Sequence, residues 1–133
     1  MRILAIDYGT KRIGLAVSDE SQTLAREFNI LSPKKFWQEI KKIILENEII
    51  KIVLGLPLGL SGGETQKTKE VYEFKNKLSN LVNLPIELID ERFSSSMAKN
   101  LPGGSRNIDS LAAQIILQNY LNSHKKDELG SMN

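Results

Sequence analysis

Two short apolar runs on either side of a tight turn limit the fold of this chain more than any other feature. Ile3-Leu4-Ala5-Ile6 is unbroken, and Ile13-Gly14-Leu15-Ala16-Val17 is nearly so. Runs of strand length without polar alternation belong in the middle of a sheet covered on both faces. Between them Tyr8-Gly9-Thr10-Lys11 predicts a turn, with Gly9 supplying positive φ at little steric cost. The pair therefore predicts a buried hairpin, and a sheet buried on both sides needs helices to cover it.

The rest of the chain supplies them. Ala25 to Leu31 predicts a third strand, closed by Ser32-Pro33 because proline has no N–H for a ladder. Phe36, Trp37, Ile40, Ile43 and Ile44 recur at helical spacing between Lys35 and Glu46, so Trp37 reads as packing. Lys51 to Leu56 predicts a buried strand. A Gly-rich loop from Pro57 to Gly63 follows, then a helix from Thr65 to Val82 with Val71, Phe74, Leu78 and Leu81 on its core face. Ser61 and Glu64 fit a capping box for that helix; the same loop could instead offer N–H groups to a phosphate. Ile86 to Asp90 predicts a fifth strand. A short helix from Ser94 to Leu101, a Pro102-Gly103-Gly104-Ser105 break and a final helix from Asp109 to Asn122 complete the series. Strands alternating with helices late in the chain imply parallel pairing, and the opening meander implies antiparallel pairing.

The length of 133 residues fits one domain, expected over 1–123, with a polar, frayed tail at 124–133 in which His124 is incidental. Without cysteine, disulfides and thiolate metal sites are excluded. The first apolar run is too short for a signal or membrane segment, so a cytoplasmic location without membrane attachment is expected. A formal charge of +2 permits a polyanionic partner without requiring one.

Carboxylates stand at element ends, where a sheet delivers side chains to one rim. Asp7 closes the first strand, Asp90 and Glu91 close the fifth, and Asp109 opens the last helix. Such an all-oxygen set suits a hard cation, Mg²⁺ or Mn²⁺, and acids without histidine or cysteine point to phosphoryl chemistry. Each acid also has a plainer role: an Asx-turn for Asp7, an N-cap for Asp109, an ion pair with Arg92 for Asp90 or Glu91. The functional case rests on their combination. Lys11, Arg12 and Arg92 could touch substrate phosphates, against solvated turn charge as the alternative.

Four blocks, in order, resemble a known family. Ile6-Asp7-Tyr8-Gly9-Thr10-Lys11-Arg12-Ile13-Gly14-Leu15-Ala16, Gly55-Leu56-Pro57, Asp90-Glu91-Arg92-Phe93-Ser94 and Asp109-Ser110-Leu111-Ala112-Ala113 are similar to those of the YqgF/RuvX proteins, pre-16S rRNA nucleases also described as Holliday-junction-resolvase-like. The resemblance implies a ribonuclease-H-like α/β fold, with a mixed five-stranded sheet of order 3-2-1-4-5, strand 2 antiparallel, flanked by helices. It also implies a cytoplasmic metal-dependent nuclease that processes the 5′ end of pre-16S rRNA, with nucleic acid, RNA in particular, as partner, acting as a monomer or weak dimer. Its catalytic and metal-holding acids fall on Asp7, Glu91 and Asp109, with Asp90 in reserve because neighbours in a strand face opposite ways. Gly9, Thr10, Lys11, Arg12 and Arg92 are the expected substrate contacts. The stretch from Lys99 to Asn107 departs from the family pattern, being short and charged only at Lys99 and Arg106.

Three other functions fit parts of this pattern. A Holliday-junction-resolvase-like DNA endonuclease would share the acids. A non-catalytic RNA-binding or ribosome-assembly module would keep the fold, although clustered like charges cost stability unless a cation offsets them. An ATP-binding domain of the actin and sugar-kinase kind would use Asp7-Tyr8-Gly9-Thr10 as its phosphate loop, but that architecture closes two domains on the nucleotide.

Overall fold

The computed structural model describes the backbone of residues 1–59, 61–90 and 108–131. The elements are β1 (Arg2–Asp7), β2 (Ile13–Ser18), β3 (Ala25–Leu31), α1 (Pro33–Glu46), β4 (Ile49–Leu56), α2 (Gln66–Leu81), β5 (Ile86–Asp90) and α3 (Ile108–Ser131). The strands form one sheet of order β3-β2-β1-β4-β5. β2 is antiparallel to β1 and to β3, while β4 is parallel to β1 and to β5. The expected short helix at 94–101 and the break at 102–105 lie outside the described residues.

The apolar runs occupy the centre, as a sheet covered twice requires. Leu4, Ala5 and Ile6 of β1 and Ile52, Val53 and Leu54 of β4 are fully buried. Alternation divides them between two cores. Leu4, Ile6, Leu15, Ile52 and Leu54 pack with Phe36, Ile40 and Ile43 of α1 and Val71, Phe74 and Leu78 of α2. Ile3, Ala5, Ala16 and Val53 pack with Ala113, Leu117, Tyr120 and Leu121 of α3. Small residues on this second face let one long helix lie close over four strands.

Helix ends follow capping chemistry, in one case not the expected one. The Ser32 side chain accepts the Lys35 N–H to start α1, with Pro33 in the first turn. For α2 the box is Thr65 with Thr68 rather than Ser61 with Glu64. The Thr65 hydroxyl accepts the Thr68 N–H at 3.3 Å, and the Thr68 hydroxyl accepts the Thr65 N–H at 2.9 Å. Thr68 is buried and also donates to the Pro57 carbonyl, so it ties the Gly-rich loop to α2. Within that loop the N–H groups of Gly59 and Gly62 bond to the carbonyls of Gly63 and Gly59, and are spent on closing the turn rather than held open for a phosphate. Leu81, expected in the core, is the last residue of α2 and 36% exposed. α3 does not end at Asn122; it runs to Ser131. Among the described residues no helix is long and apolar enough to cross a membrane.

The β2–β3 connection is ordered by one carboxylate. Asp19 accepts the backbone N–H groups of Thr23 and Leu24 at 2.8 and 3.2 Å on one oxygen, and the hydroxyls of Ser21 and Thr23 at 3.0 Å on the other. These bonds favour the charged form, the Thr23 N–H foremost, and hold the Asp19 pKa down at about 2. A depressed carboxylate stabilises the fold fully above its unfolded pKa, near 3.8, and ceases to as pH falls through about 2. Asp19→Asn is therefore expected to melt below wild type at pH 7, with the gap closing between pH ~4 and ~2. Melting temperatures across that range check this; a gap unchanged at pH 2 would contradict it.

Candidate active site

β1, β4 and β5 run in the same direction, so their carboxyl ends meet at one rim. Register places Ile6 beside Leu54, Leu54 beside Leu88 and Leu56 beside Asp90. Asp7 and Asp90 thus both end strands at that rim, with β4 between them, roughly 10 Å apart at the ordinary strand spacing.

They do not share a face. Ile3 and Ala5 belong to the α3-side core, and alternation puts Asp7 with them. Tyr8 goes the other way: its ring lies 4.5 Å from that of Phe74 in the core under α1 and α2. This anchor fixes the phase of the strand end and keeps Asp7 on the α3 side. In β5, Ile86 and Leu88 pack on the α1 and α2 side and Ile89 on the α3 side, so Asp90 falls on the face opposite Asp7, exposed.

α3 brings its first turn to the Asp7 rim. Its later residues Tyr120, Leu121 and His124 lie beside Ile3, at the start of β1. The Gln118 side chain accepts the Ala25 N–H at 2.9 Å and donates to the Thr23 carbonyl at 3.0 Å, and Gln114 donates to the Ala25 carbonyl at 3.2 Å. The helix therefore runs antiparallel to β1, and its amino end points toward Asp7. It begins at Ile108, so Asp109 stands within the first turn rather than before it. A carboxylate there is favoured by the helix dipole. Glu91, Arg92 and the Asp109 side chain lie outside the described residues. Among the described residues no three acidic, imidazole or thiol groups come together to hold a metal.

Gly9, Thr10, Lys11 and Arg12 form the turn after Asp7, with Thr10, Lys11 and Arg12 exposed. Gly9 does not have the positive φ expected of it; Gly62 does, at 88°. Gly9 is needed for closeness instead, since a Cβ there would sit 2.5 Å from the Arg12 carbonyl oxygen. The turn is narrow, and its two basic residues are exposed.

Sequence reasoning missed a second polar cluster on the α3 side, at the other end of the sheet. Lys51 donates to the Tyr120 hydroxyl at 2.6 Å, lies 4.8 Å above that ring, and pairs with Glu87 at 3.4 Å. Burial presses its pKa down, but the Tyr120 bond and the Glu87 charge outweigh this and raise it. The three residues are far apart in the chain, and no local pattern announces them. Asp19 was more legible, because an aspartate followed by Ser21 and Thr23 is a turn signal.

The chain is similar to known proteins along most of its length. The family model described as "RuvX: Holliday junction resolvase" matches residues 1–123. A protein of Dictyoglomus turgidum named "Putative pre-16S rRNA nuclease" is 40% identical over 138 aligned positions, covering 96% of this chain and 98% of the relative. One of the same name from Sulfurihydrogenibium sp. is 43% identical, covering 90% and 89%. Among solved structures, T. thermophilus RuvC in complex with a Holliday junction superposes with a TM-score of 0.64 at 12% identity, covering 94% of this chain and 96% of that one. A Fowlpox virus resolvase bound to junction DNA gives 0.54 at 13%, covering 92% and 98%. At such identities these two speak for the fold, which is ribonuclease-H-like as expected. With the family model spanning both the β1 rim and the first turn of α3, the chain belongs to the RuvX family and to the class of hydrolases that act on phosphodiester bonds.

Proposed function

We propose that this chain is a cytoplasmic, divalent-metal-dependent endonuclease that hydrolyses RNA phosphodiesters in 5′-end processing of pre-16S rRNA. Residues 1–123 form the catalytic unit, with Asp7, Glu91 and Asp109 as its acids. The observation that carries this reading is the convergence of Asp7, at the end of a central strand, with the amino end of α3 on one face and one rim of the sheet. The names of the relatives supply the substrate.

The residues fit a hard cation. Asp7 is half-buried at the carboxyl end of β1, so it offers an oxygen donor at the rim of the sheet, with water and substrate phosphate expected to supply the cation's other ligands. When bound, Mg²⁺ or Mn²⁺ supplies Lewis acidity and lowers the pKa of water for attack on phosphorus. The chain's own groups do the rest. Asp7, Glu91 and Asp109 hold the charge that the cation balances. The first-turn N–H groups of α3 provide a favourable field for a phosphate. Lys11 and Arg12 on the narrow turn, with Arg92, position the backbone of the strand.

Asp90, the last residue of β5, falls on the face opposite Asp7, so the role is assigned to Glu91, the acid that the family resemblance names. Glu91→Gln is expected to lower Mg²⁺-dependent cleavage of a pre-16S 5′-leader RNA by roughly 10²-fold or more, and Asp90→Asn by less than about threefold. The opposite ranking would transfer the role to Asp90. Cleavage of a four-way DNA junction but not of the RNA would make the protein a resolvase.

A further inference from the structure

A second candidate site lies at the opposite end of the sheet from Asp7. A cavity of about 200 Å³ opens there between the β2–β3 connection and the stretch of α3 from Tyr120 to His124. Ile3, Leu121 and the buried Tyr120 give it an apolar floor, and Ser21, Gln22 and His124 give it polar walls. No charged side chain of the described residues lines it.

One wall is rigid and strained. Asp19 fixes the connection through four hydrogen bonds, and Gln118 fastens its far end to α3. Within it Gln22 has φ of 58°, a left-handed conformation that a glutamine adopts at a cost. Gln22 is half-buried and lines the cavity, and its side-chain amide makes no hydrogen bond to another described residue, so a donor and an acceptor remain for a ligand. Across from it, His124 is exposed and lies with its ring 3.9 Å from that of Tyr120, tilted 31°, which backs the imidazole with a second aromatic surface. Its Nδ1 is 3.1 Å from the Tyr120 carbonyl oxygen, which further restrains the ring.

A slot whose described lining carries no charged side chain, with a backed imidazole platform and one unspent amide, matches the chemistry of an unpaired nucleobase. The flat faces of a base stack on aromatic rings, and a glutamine amide pairs with the N6 and N7 edge of adenine. We infer that the cavity bounded by Gln22, Tyr120 and His124 binds an unpaired base, adenine by preference. This rests on the proposal that the partner is nucleic acid. Ile3 and Asp7 are four residues apart on β1, about 13 Å, and α3 covers the face between them, so a single strand bound at the cleavage rim has to pass around that helix to place a base there.

His124 is the only histidine in the chain, so its ring protons are a private NMR reporter. With EDTA present to prevent cleavage, adenosine and the tetranucleotide r(A)₄ are expected to shift the His124 ring signals upfield and saturably, while ribose 5-phosphate leaves them in place. Tighter binding of r(A)₄ than of adenosine assigns the cavity to a strand; equal binding assigns it to a free nucleoside. In Gln22→Gly, which suits the left-handed backbone, the melting temperature is expected to hold or rise while adenosine binds roughly 5- to 100-fold more weakly. Unmoved His124 signals at millimolar adenosine, or unchanged affinity in Gln22→Gly, would overturn the inference. Because no metal or cleavage enters the measurement, Asp7→Asn should retain the shift, so the nuclease reading and this one can fail separately.

Discussion

Asp7→Asn is expected to fold as well as the native chain and to cleave RNA about a thousandfold more slowly, a loss near 4 kcal/mol of transition-state stabilisation. The exchange keeps shape and removes one negative charge. Asp7 lies on the α3 face of the rim with the helix amino end approaching it, and in the proposed function its charge helps to recruit a cation. Two measurements should move together. In wild type, Mg²⁺ or Mn²⁺ at a hundred times its dissociation constant should add about 2.7 kcal/mol of stability, a rise of roughly 10 °C in melting temperature for a chain this size. In Asp7→Asn that rise should largely vanish, while the metal-free melting temperature holds or increases because like charges no longer repel. If both proteins respond equally to metal, Asp7 does not bind it, whatever happens to the rate.

Phe36→Ala is expected to cost about 3–5 kcal/mol, a large part of the roughly 5–15 kcal/mol that holds a domain of this kind together. Phe36 is fully buried, and its ring centroid lies 5.0 Å from Trp37 and 5.3 Å from Phe74. Phe74 in turn carries Tyr8, the residue after Asp7. Truncation removes the centre of this aromatic group, and rings anchored on α1, α2 and the end of β1 cannot all move in to fill the space. Denaturant midpoints followed by the fluorescence of Trp37, the only tryptophan, would measure the loss. A change under about 1.5 kcal/mol would show that the site relaxes and that the cluster is not a rigid support. Phe36→Leu, which keeps most of the volume, should cost much less.

The two variants probe different links between sequence and function, and they differ in how far the sequence announced them. Phe36 could be read directly: it repeats with Ile40 and Ile43 at helical spacing, and all three are buried. The central strands β1, β2 and β4 could be read for the same local reason, since runs of mostly apolar residues of strand length have few other places to go. Errors came where two local signals competed. Ser61 and Glu64 have the spacing of a capping box, yet Thr65 with Thr68 caps α2, because Thr68 can be buried and bonded to Pro57 at once. Gly9 was legible as a glycine position for the wrong reason: the backbone there needs an absent Cβ rather than a left-handed φ. The end of α3 was set too early, since a helix can run past the end of its apolar stripe.

Secondary structure, the central sheet and the identity of the acidic positions were determined by the sequence itself, because each depends on neighbours within a few residues or on a period that short stretches display. Tertiary structure alone decided that Asp7 and Asp90 do not share a face. Asp90 stands at the same rim as Asp7 but on the other side of the sheet, a distinction made by one step of strand alternation and by the packing of Tyr8, Leu88 and Ile89. It alone also set Gln22 and His124 around one cavity and joined Lys51 to Tyr120. Residues so distant in the chain have no periodic relation, and only the laying of α3 across the sheet brings their side chains within reach of one another.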